Sequence, residues 1–138
     1  APNEGYINIG GESRSGHYTV VSEPGSLNHA SGTNVRLVLL TPAYFSGGYQ
    51  PMGTGVGRWD RWPGKDARLV SVVLDKPQHI SGWDMANDRP RPLRHFVPAG
   101  SVYYFENATI SDQPFTENSP EGLEFGAMGF GAIAAGSW

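Results

Sequence analysis

The sequence predicts an α+β domain that is mainly antiparallel β with few helices, and three observations support this class. At 138 residues the chain has the length of one domain with one core, so residues 1–138 are assigned to a single domain. It contains 19 glycines and 11 prolines, which is typical of a turn-rich protein. No stretch of eleven or more residues repeats apolar positions at helical spacing without an interrupting glycine or proline.

Short segments rich in β-branched and aromatic residues, flanked by turn-forming residues, predict the strands. In chain order they are residues 5–9, 17–22, 34–40, 67–75 and 101–106. Residues 23–33 predict a turn, with at most a short helix around residues 27–30. Residues 41–65 predict a long irregular loop, and its aromatic side chains argue against disorder.

The end of the chain combines glycine with an absence of charge. Residues 125–138 carry no charged side chain and include Gly126, Gly129, Gly131 and Gly136. Glycine accepts backbone angles closed to other residues, and its missing Cβ lets another molecule approach the main chain. Two interpretations stay open: a tight turn between final strands, or a loop whose amides meet a phosphate backbone.

The formal net charge of −3 is distributed unevenly. Residues 1–57 sum to −1, residues 58–94 to +3 and residues 95–138 to −5. The middle region therefore has the charge to face an anion, although an acidic total is unusual for a protein that grips nucleic acid unaided. No apolar run is long enough to cross a bilayer, and we expect a cytoplasmic protein.

Few residues favour metal or covalent chemistry. The chain has no cysteine, which excludes disulfides and thiolate sites, and its four histidines lack the short spacing of metal-ligand motifs. We therefore expect no metal and no cofactor. Metal-free RNA cleavage needs a base and an acid, tasks suited to His17 and His95, but we interpret both as structural.

The segment RWDRW, residues 58–62, alternates cations and indole rings. In an extended conformation Arg58 and Trp62 would share one side, with Trp59 and Arg61 on the other. This arrangement could stack a splayed base and hold a phosphate, as single-strand binders do. The alternative is a loop that two tryptophans anchor and in which an arginine pairs with the intervening aspartate.

The segment RPRPLRHF, residues 89–96, places three arginines around two prolines. Proline favours an extended backbone, and the three cations cannot all be buried. The segment is either a solvated connector or a second cationic surface.

Taken in order, four stretches resemble one protein family. They are GGESR at 10–14, VRLVLLTPAYFSGG at 35–48, GWD at 82–84 followed by RPRPLRHFVPAGSVYYFE at 89–106, and the terminal GFGAIAAGSW at 129–138. This order resembles the C-terminal half of the RAMP-superfamily subunit that caps the guide RNA 5′ end in Cmr-type (type III-B) CRISPR complexes. The likeness spans nearly the whole chain.

The resemblance implies a fold and a role. The fold is a degenerate ferredoxin-like C-terminal domain with a glycine-rich loop, and the chain would be half of a longer two-domain protein, or a split subunit, lacking its N-terminal half. The role is non-catalytic: the family holds the 5′ handle of the guide RNA and bridges the large polymerase/cyclase-related subunit to the first backbone subunit. We expect the isolated chain to bind RNA weakly.

The resemblance also implies site residues. Gly129, Phe130 and Gly131 would be the loop positions that approach the RNA, and Ile133 and Trp138 would return the chain to the core as a final strand. The GWD, PAG and TPA motifs are interpreted as structural. Combined with the cationic segments, the predicted RNA-binding residues are Gly129, Phe130, Gly131, Arg14 in the GGESR turn, Arg58, Trp59, Arg61, Trp62, Arg91 and Arg94.

Two other functions are compatible with the residues. Related RAMP proteins cut precursor guide RNA without metal, so a metal-independent endoribonuclease is one alternative. A carbohydrate-binding β-sandwich that uses its tryptophans is the other.

Overall fold

The computed structural model describes residues 4–9, 14–19, 29–50, 63–64 and 66–138. Within these ranges the chain forms ten strands and no helix. The strands are β1 (Glu4–Ile9), β2 (Arg14–Thr19), β3 (Ala30–Leu39), β4 (Arg68–Val73), β5 (Gln78–Ile80), β6 (Trp83–Asp84), β7 (Arg89–Pro90), β8 (Arg94–Phe96), β9 (Val102–Ile110) and β10 (Ile133–Ser137). The prediction of a mainly antiparallel β domain is confirmed, whereas no described residue supplies the helical part of the predicted class.

The predicted strands agree with the observed ones to within a few residues in most cases, and a final strand does follow the glycine-rich segment. The prediction is wrong at residues 30–33, which belong to β3 rather than to a turn or short helix. Pairing with residues 108–110 of β9 extends β3 into this stretch despite its turn-like composition. Arg14, expected in a turn, begins β2 opposite Ile9.

The central sheet contains four strands in the spatial order β10-β3-β9-β4, and every neighbouring pair is antiparallel. Ranked by position in the chain, these strands lie in the order fourth, first, third, second. It follows that β3 runs parallel to β4 and β9 parallel to β10, with one strand between them in each case. Parallel strands need a crossover connection. The crossovers are residues 40–67 and 111–132, and neither forms a helix in its described part.

One face of this sheet carries the main core. Val35, Leu37 and Leu39 of β3 are buried beside Tyr103 and Phe105 of β9. Their spacing of two residues follows the pleat of the strands. Full burial of each aliphatic or aromatic side chain contributes about 1.5–3 kcal/mol relative to exposure, so these five residues contribute strongly to the stability of the sheet.

The alternation in β9 shifts by one residue at Asn107, whose φ of 53° is left-handed. Tyr103 and Phe105 face the core before this position, and Ala108 and Ile110 face it afterwards. Asparagine adopts this conformation more readily than most other residues with a side chain. The shift lets the far end of β9 continue to bury apolar side chains.

Irregular segments cover this core in the described chain. Phe45 and Phe115 pack on Tyr103, with ring centroids 6.4 and 4.9 Å from that of Tyr103. Ala43 and Val97 exchange two backbone hydrogen bonds of 2.9 and 2.8 Å. Because a buried backbone must find partners for its polar groups, such bonds allow loops to form a layer of the core.

An arm, residues 78–96, interrupts the connection between β4 and β9. It consists of the ribbon β5/β8 and, nested within it along the chain, the ribbon β6/β7. The inner ribbon closes in a turn where the Asp84 carboxylate accepts hydrogen bonds from the Asn87 side chain (2.8 Å) and the Ala86 N–H (3.2 Å). The Asn87 bond above all holds the pKa of Asp84 below its ordinary value.

Candidate nucleic-acid interface

A cleft of about 800 Å³ lies between the arm and residues 121–130. Its volume falls within the range of sites that hold small molecules and cofactors. The lining combines four aromatic side chains, three arginines and two carboxylates. The cleft therefore offers both stacking surface and positive charge to a ligand.

Phenylalanine side chains form the floor of the cleft. Phe96 of β8 is buried, and its ring centroid lies 4.9 Å from that of Phe130 and 5.1 Å from that of Phe125. Tyr44 packs against the same ring at 5.6 Å. Because Phe96 comes from the arm and its two phenylalanine partners from the other wall, the floor joins the two walls.

Trp83 lines the wall that the arm forms. It belongs to the two-residue strand β6, pairs with Pro90, and is 51% exposed. The GWD motif, predicted to be structural, thus places a half-exposed indole ring beside a cavity. Such a ring can stack on a planar ligand.

Two arginines of the same wall, Arg89 and Arg91, take no part in the ion pairs of the described residues. The Arg91 N–H donates to the Gly82 carbonyl oxygen at 2.8 Å, and Arg91 Nε lies 3.4 Å from the Trp83 carbonyl oxygen. Arg89 lies opposite Asp84 in the inner ribbon. Neither arginine forms an ion pair with a described residue. Both remain able to pair with an anion in the cleft.

Arg94 is instead held within the fold. Its guanidinium pairs with the Glu121 carboxylate, donates to the Tyr44 hydroxyl at 3.3 Å, and lies 5.4 Å from the centroid of the Tyr44 ring. The Arg94 side chain is only 16% exposed. This residue therefore connects the two walls of the cleft across its base.

The carboxylate of Glu121, which pairs with Arg94, predicts a dependence of stability on pH. The pKa of Glu121 lies below its ordinary value of 4.5, first because its own N–H donates to the carboxylate, and further because Ser119 and Arg94 bond to it. A lowered pKa in the folded state means that the contribution is complete above pH 4.5 and is lost as the pH falls through the lowered value.

We therefore expect Glu121→Gln to flatten the acid decline in the free energy of unfolding, measured by urea denaturation at a series of pH values. Glu124→Gln, which removes a nearby carboxylate that has no ion pair to a described residue, is the matched control. An equally steep decline in the Glu121 variant and the parent would contradict this expectation.

The backbone N–H groups of the glycine-rich segment are already hydrogen-bonded within the fold. The N–H groups of Gly129, Phe130 and Gly131 donate to carbonyl oxygens within the fold at 2.8–3.0 Å. The expected mechanism, in which bare amides of this loop donate to phosphate, is wrong for these three groups because each already has an acceptor. Phe130 nevertheless lines the cleft and Gly129 is exposed, whereas Gly131 is buried.

The cleft brings together some of the predicted RNA-binding residues. Arg91, Arg94 and Phe130 all line it. Arg14 belongs to the separate two-stranded sheet β1/β2. Outside the described residues lie Arg58, Trp59, Arg61 and Trp62. Contact with RNA stays a prediction for all ten predicted RNA-binding residues.

Sequence reasoning missed two residues of the cleft, Trp83 and Arg89. Arg89 could have been predicted, because it belongs to the same arginine-proline segment as Arg91 and Arg94. The signal for Trp83 was weaker, since a strand of two residues is too short for a periodicity that would indicate which side is exposed.

None of the four histidines lines the cleft. His79 and His95 are directly opposite each other in β5 and β8, with ring centroids 4.5 Å apart, and His17 packs against Tyr6 at 5.0 Å. Over the described ranges, no group of three or more histidine or acidic side chains could hold a metal ion. No helix there has the length and apolar character needed to span a bilayer.

Comparison with known proteins finds a family match for this sequence. A family model described as CRISPR-associated protein (Cas_Cmr3) matches residues 1–138. No curated protein matches the chain.

Proposed function

The chain belongs to the Cas_Cmr3 family of CRISPR-associated proteins, as the order of its motifs predicts, and from this premise we propose that it holds the 5′ handle of the guide RNA in a Cmr-type complex. In the same proposal it bridges the large polymerase/cyclase-related subunit to the first backbone subunit. The role is binding and assembly without catalysis, and its place is the cytoplasm.

The observation that carries the proposal is the make-up of the cleft. Trp83 and Phe130 offer aromatic surface, while Arg89 and Arg91 offer guanidinium groups that form no ion pair with a described residue, although the charge of Arg91 helps to lower the pKa of Asp84. Proteins bind unpaired RNA with such groups, because bases stack on aromatic rings and phosphates pair with cations. A single-stranded 5′ handle is a ligand of this kind.

The charge of the cleft is modest. Asp84 and Glu121 line it together with the three arginines, which leaves a formal excess of one positive charge. Release of counterions from RNA therefore contributes little to affinity at this surface. This favours a domain that holds RNA jointly with other subunits and binds it weakly alone.

We further propose that the central sheet is a degenerate ferredoxin-like unit. In the ferredoxin-like split βαβ arrangement, the strands lie in the order fourth, first, third, second, with helical crossovers. The order β10-β3-β9-β4 supports this relationship. In this chain irregular segments with aromatic anchors take the positions of the helices in the described part of both crossovers.

The histidine positions favour binding over cleavage. A general base must lie within hydrogen-bond reach of the group that it deprotonates. His17, His79 and His95 do not line the cleft, so none of these imidazoles lies at its surface to act as a base on RNA bound there.

The test is to remove the indole ring of Trp83 and the charge of Arg91. Trp83→Ala should weaken guide retention in the assembled complex by about 1–3 kcal/mol, the scale of base stacking on an aromatic side chain. Arg91→Gln should lower the slope of log affinity against log salt by about one, because one phosphate contact is lost. Both are measured by competitive filter binding.

Two controls match these changes. Met85→Ala removes an 84% exposed apolar side chain two positions after Trp83 that does not line the cleft, and Lys76→Gln removes an exposed cation outside the cleft. Neither should alter retention or its salt dependence. If Trp83→Ala and Met85→Ala retain the guide equally well, the cleft is not the RNA site.

A further inference from the structure

The second face of the central sheet, opposite the core, is not buried in the described structure. Paired positions on neighbouring strands lie side by side, so the side chains form rows across the sheet. One row is Ala134, Val38, Val102 and Val73. The next row is Gly136, Arg36, Tyr104 and Ser71. None of these residues is buried or belongs to a core cluster.

An aromatic pair lies on this second face. Tyr104 is on the central strand β9, and its ring meets that of Trp138 edge to face, with centroids 5.5 Å apart and planes at 88°. Trp138 is 48% exposed. An aromatic pair that the core does not use offers stacking surface to a planar ligand.

Arg36 places a cation on this face. It lies directly opposite Tyr104, and its side chain forms no ion pair or hydrogen bond with a described residue. A Cβ on Gly136 would lie 3.8 Å from Arg36 Nε, so the guanidinium extends over β10. Arg68, on the same face, is instead paired with Glu106 at 2.8 and 3.0 Å.

A groove of about 250 Å³ lies on this second face. Arg36, Val38, Val102 and Tyr104 line it, together with β10. The groove is large enough for one planar ring but small for a helix or a folded peptide. Any molecule that covers Arg36 must supply a negative charge, because an unpaired buried guanidinium is costly, and the phosphate of a nucleotide meets this requirement.

We propose that this second face binds one nucleotide of single-stranded RNA, with its base against Tyr104 in the groove, Trp138 beside that ring, and its phosphate paired with Arg36. Four-stranded sheets with aromatic residues on their central strands bind unpaired bases in this way. The inference rests on the proposed RNA-binding function, but it concerns a surface that shares no lining residue with the cleft.

The test uses photo-crosslinking of the full chain to oligouridine RNA that contains 4-thiouridine, with the crosslinked residues assigned by mass spectrometry. Trypsin leaves residues 95–138 as one peptide, because no lysine or arginine follows Arg94, so a glutamate-specific protease is needed. We expect crosslinks at Tyr104 or Trp138.

Fluorescence anisotropy of the same RNA provides the second readout. Trp138→Ala should weaken binding roughly tenfold, the effect of one lost stacking contact. Arg36→Gln should lower the salt slope by about one, whereas Arg68→Gln, which removes the same charge from an ion pair on the same face, should leave it unchanged. Thermal melting of each variant shows that it is folded.

The outcomes separate the two proposals. Crosslinks confined to Trp83 and the rest of the arm would support the cleft and overturn this inference. Crosslinks confined to the second face would support this inference and overturn the cleft. An absence of crosslinks from the cleft and from the second face would overturn both proposals. If Trp138→Ala leaves RNA binding intact but weakens association with a protein subunit, the face docks protein and the inference is wrong.

Discussion

Replacing Gly131 with alanine is expected to lower the free energy of unfolding by about 2–4 kcal/mol, through left-handed strain together with overpacking. Gly131 has a φ of 73°, and an added Cβ would lie 2.8 Å from both the Phe115 carbonyl carbon and Thr116 Cβ. The backbone cannot easily move aside, because the Phe115 N–H donates to the Gly131 carbonyl oxygen at 2.8 Å. Urea denaturation measures the loss.

Gly129→Ala is the matched control. Gly129 also has a positive φ, 90°, but nothing lies within 4 Å of the position of its absent Cβ. The control should therefore lose only the left-handed strain, about 1–2 kcal/mol. Equal losses in the two variants would contradict the close-packing explanation. Gly129 is also the better position for testing RNA contact at this loop, because a change at Gly131 disturbs the fold itself.

Phe96→Ala is expected to cost about 3–5 kcal/mol, the usual range for deleting a buried phenyl ring. Phe96 is 1% exposed and contacts the rings of Tyr44, Phe125 and Phe130. Its loss removes the packing that joins the arm to the opposite wall. Guide retention should fall together with stability, because the floor of the cleft loses its central ring.

Leu93→Ala and Phe96→Leu complete this series. Leu93 is 61% exposed on the arm, so its truncation should change stability by no more than about 0.5 kcal/mol. Phe96→Leu keeps an apolar side chain at the floor and should recover part of the loss. A Phe96→Ala variant as stable as Leu93→Ala would show that the floor does not hold the two walls together.

A strand was predictable where its own residues all favour an extended conformation. Residues 34–39 are rich in valine and leucine, and they lie in the strand that this composition predicts. Residues 30–33 were not predictable, because their glycine, serine and threonine favour turns, and pairing with a strand over seventy residues later decides their conformation.

The site was predictable in part for a similar reason. The arginine-proline segment indicated exposed cations, and Arg91 and Arg94 do line the cleft. The sequence could not show that Glu121 occupies one of them, since the partners are 27 positions apart. Nor could it show that the loop amides are already bonded, because the acceptor for Gly131 is the distant carbonyl of Pro42.

The arm leaves and re-enters the sheet at one edge, because the strands on either side of it, β4 and β9, are neighbours and Val73 pairs with Val102. Insertions and deletions at a connection of this kind are absorbed at the surface without changing the register of the strands. The length of the arm can therefore drift during evolution, and with it the depth of the cleft that the arm lines, while the interior of the domain remains under separate selection.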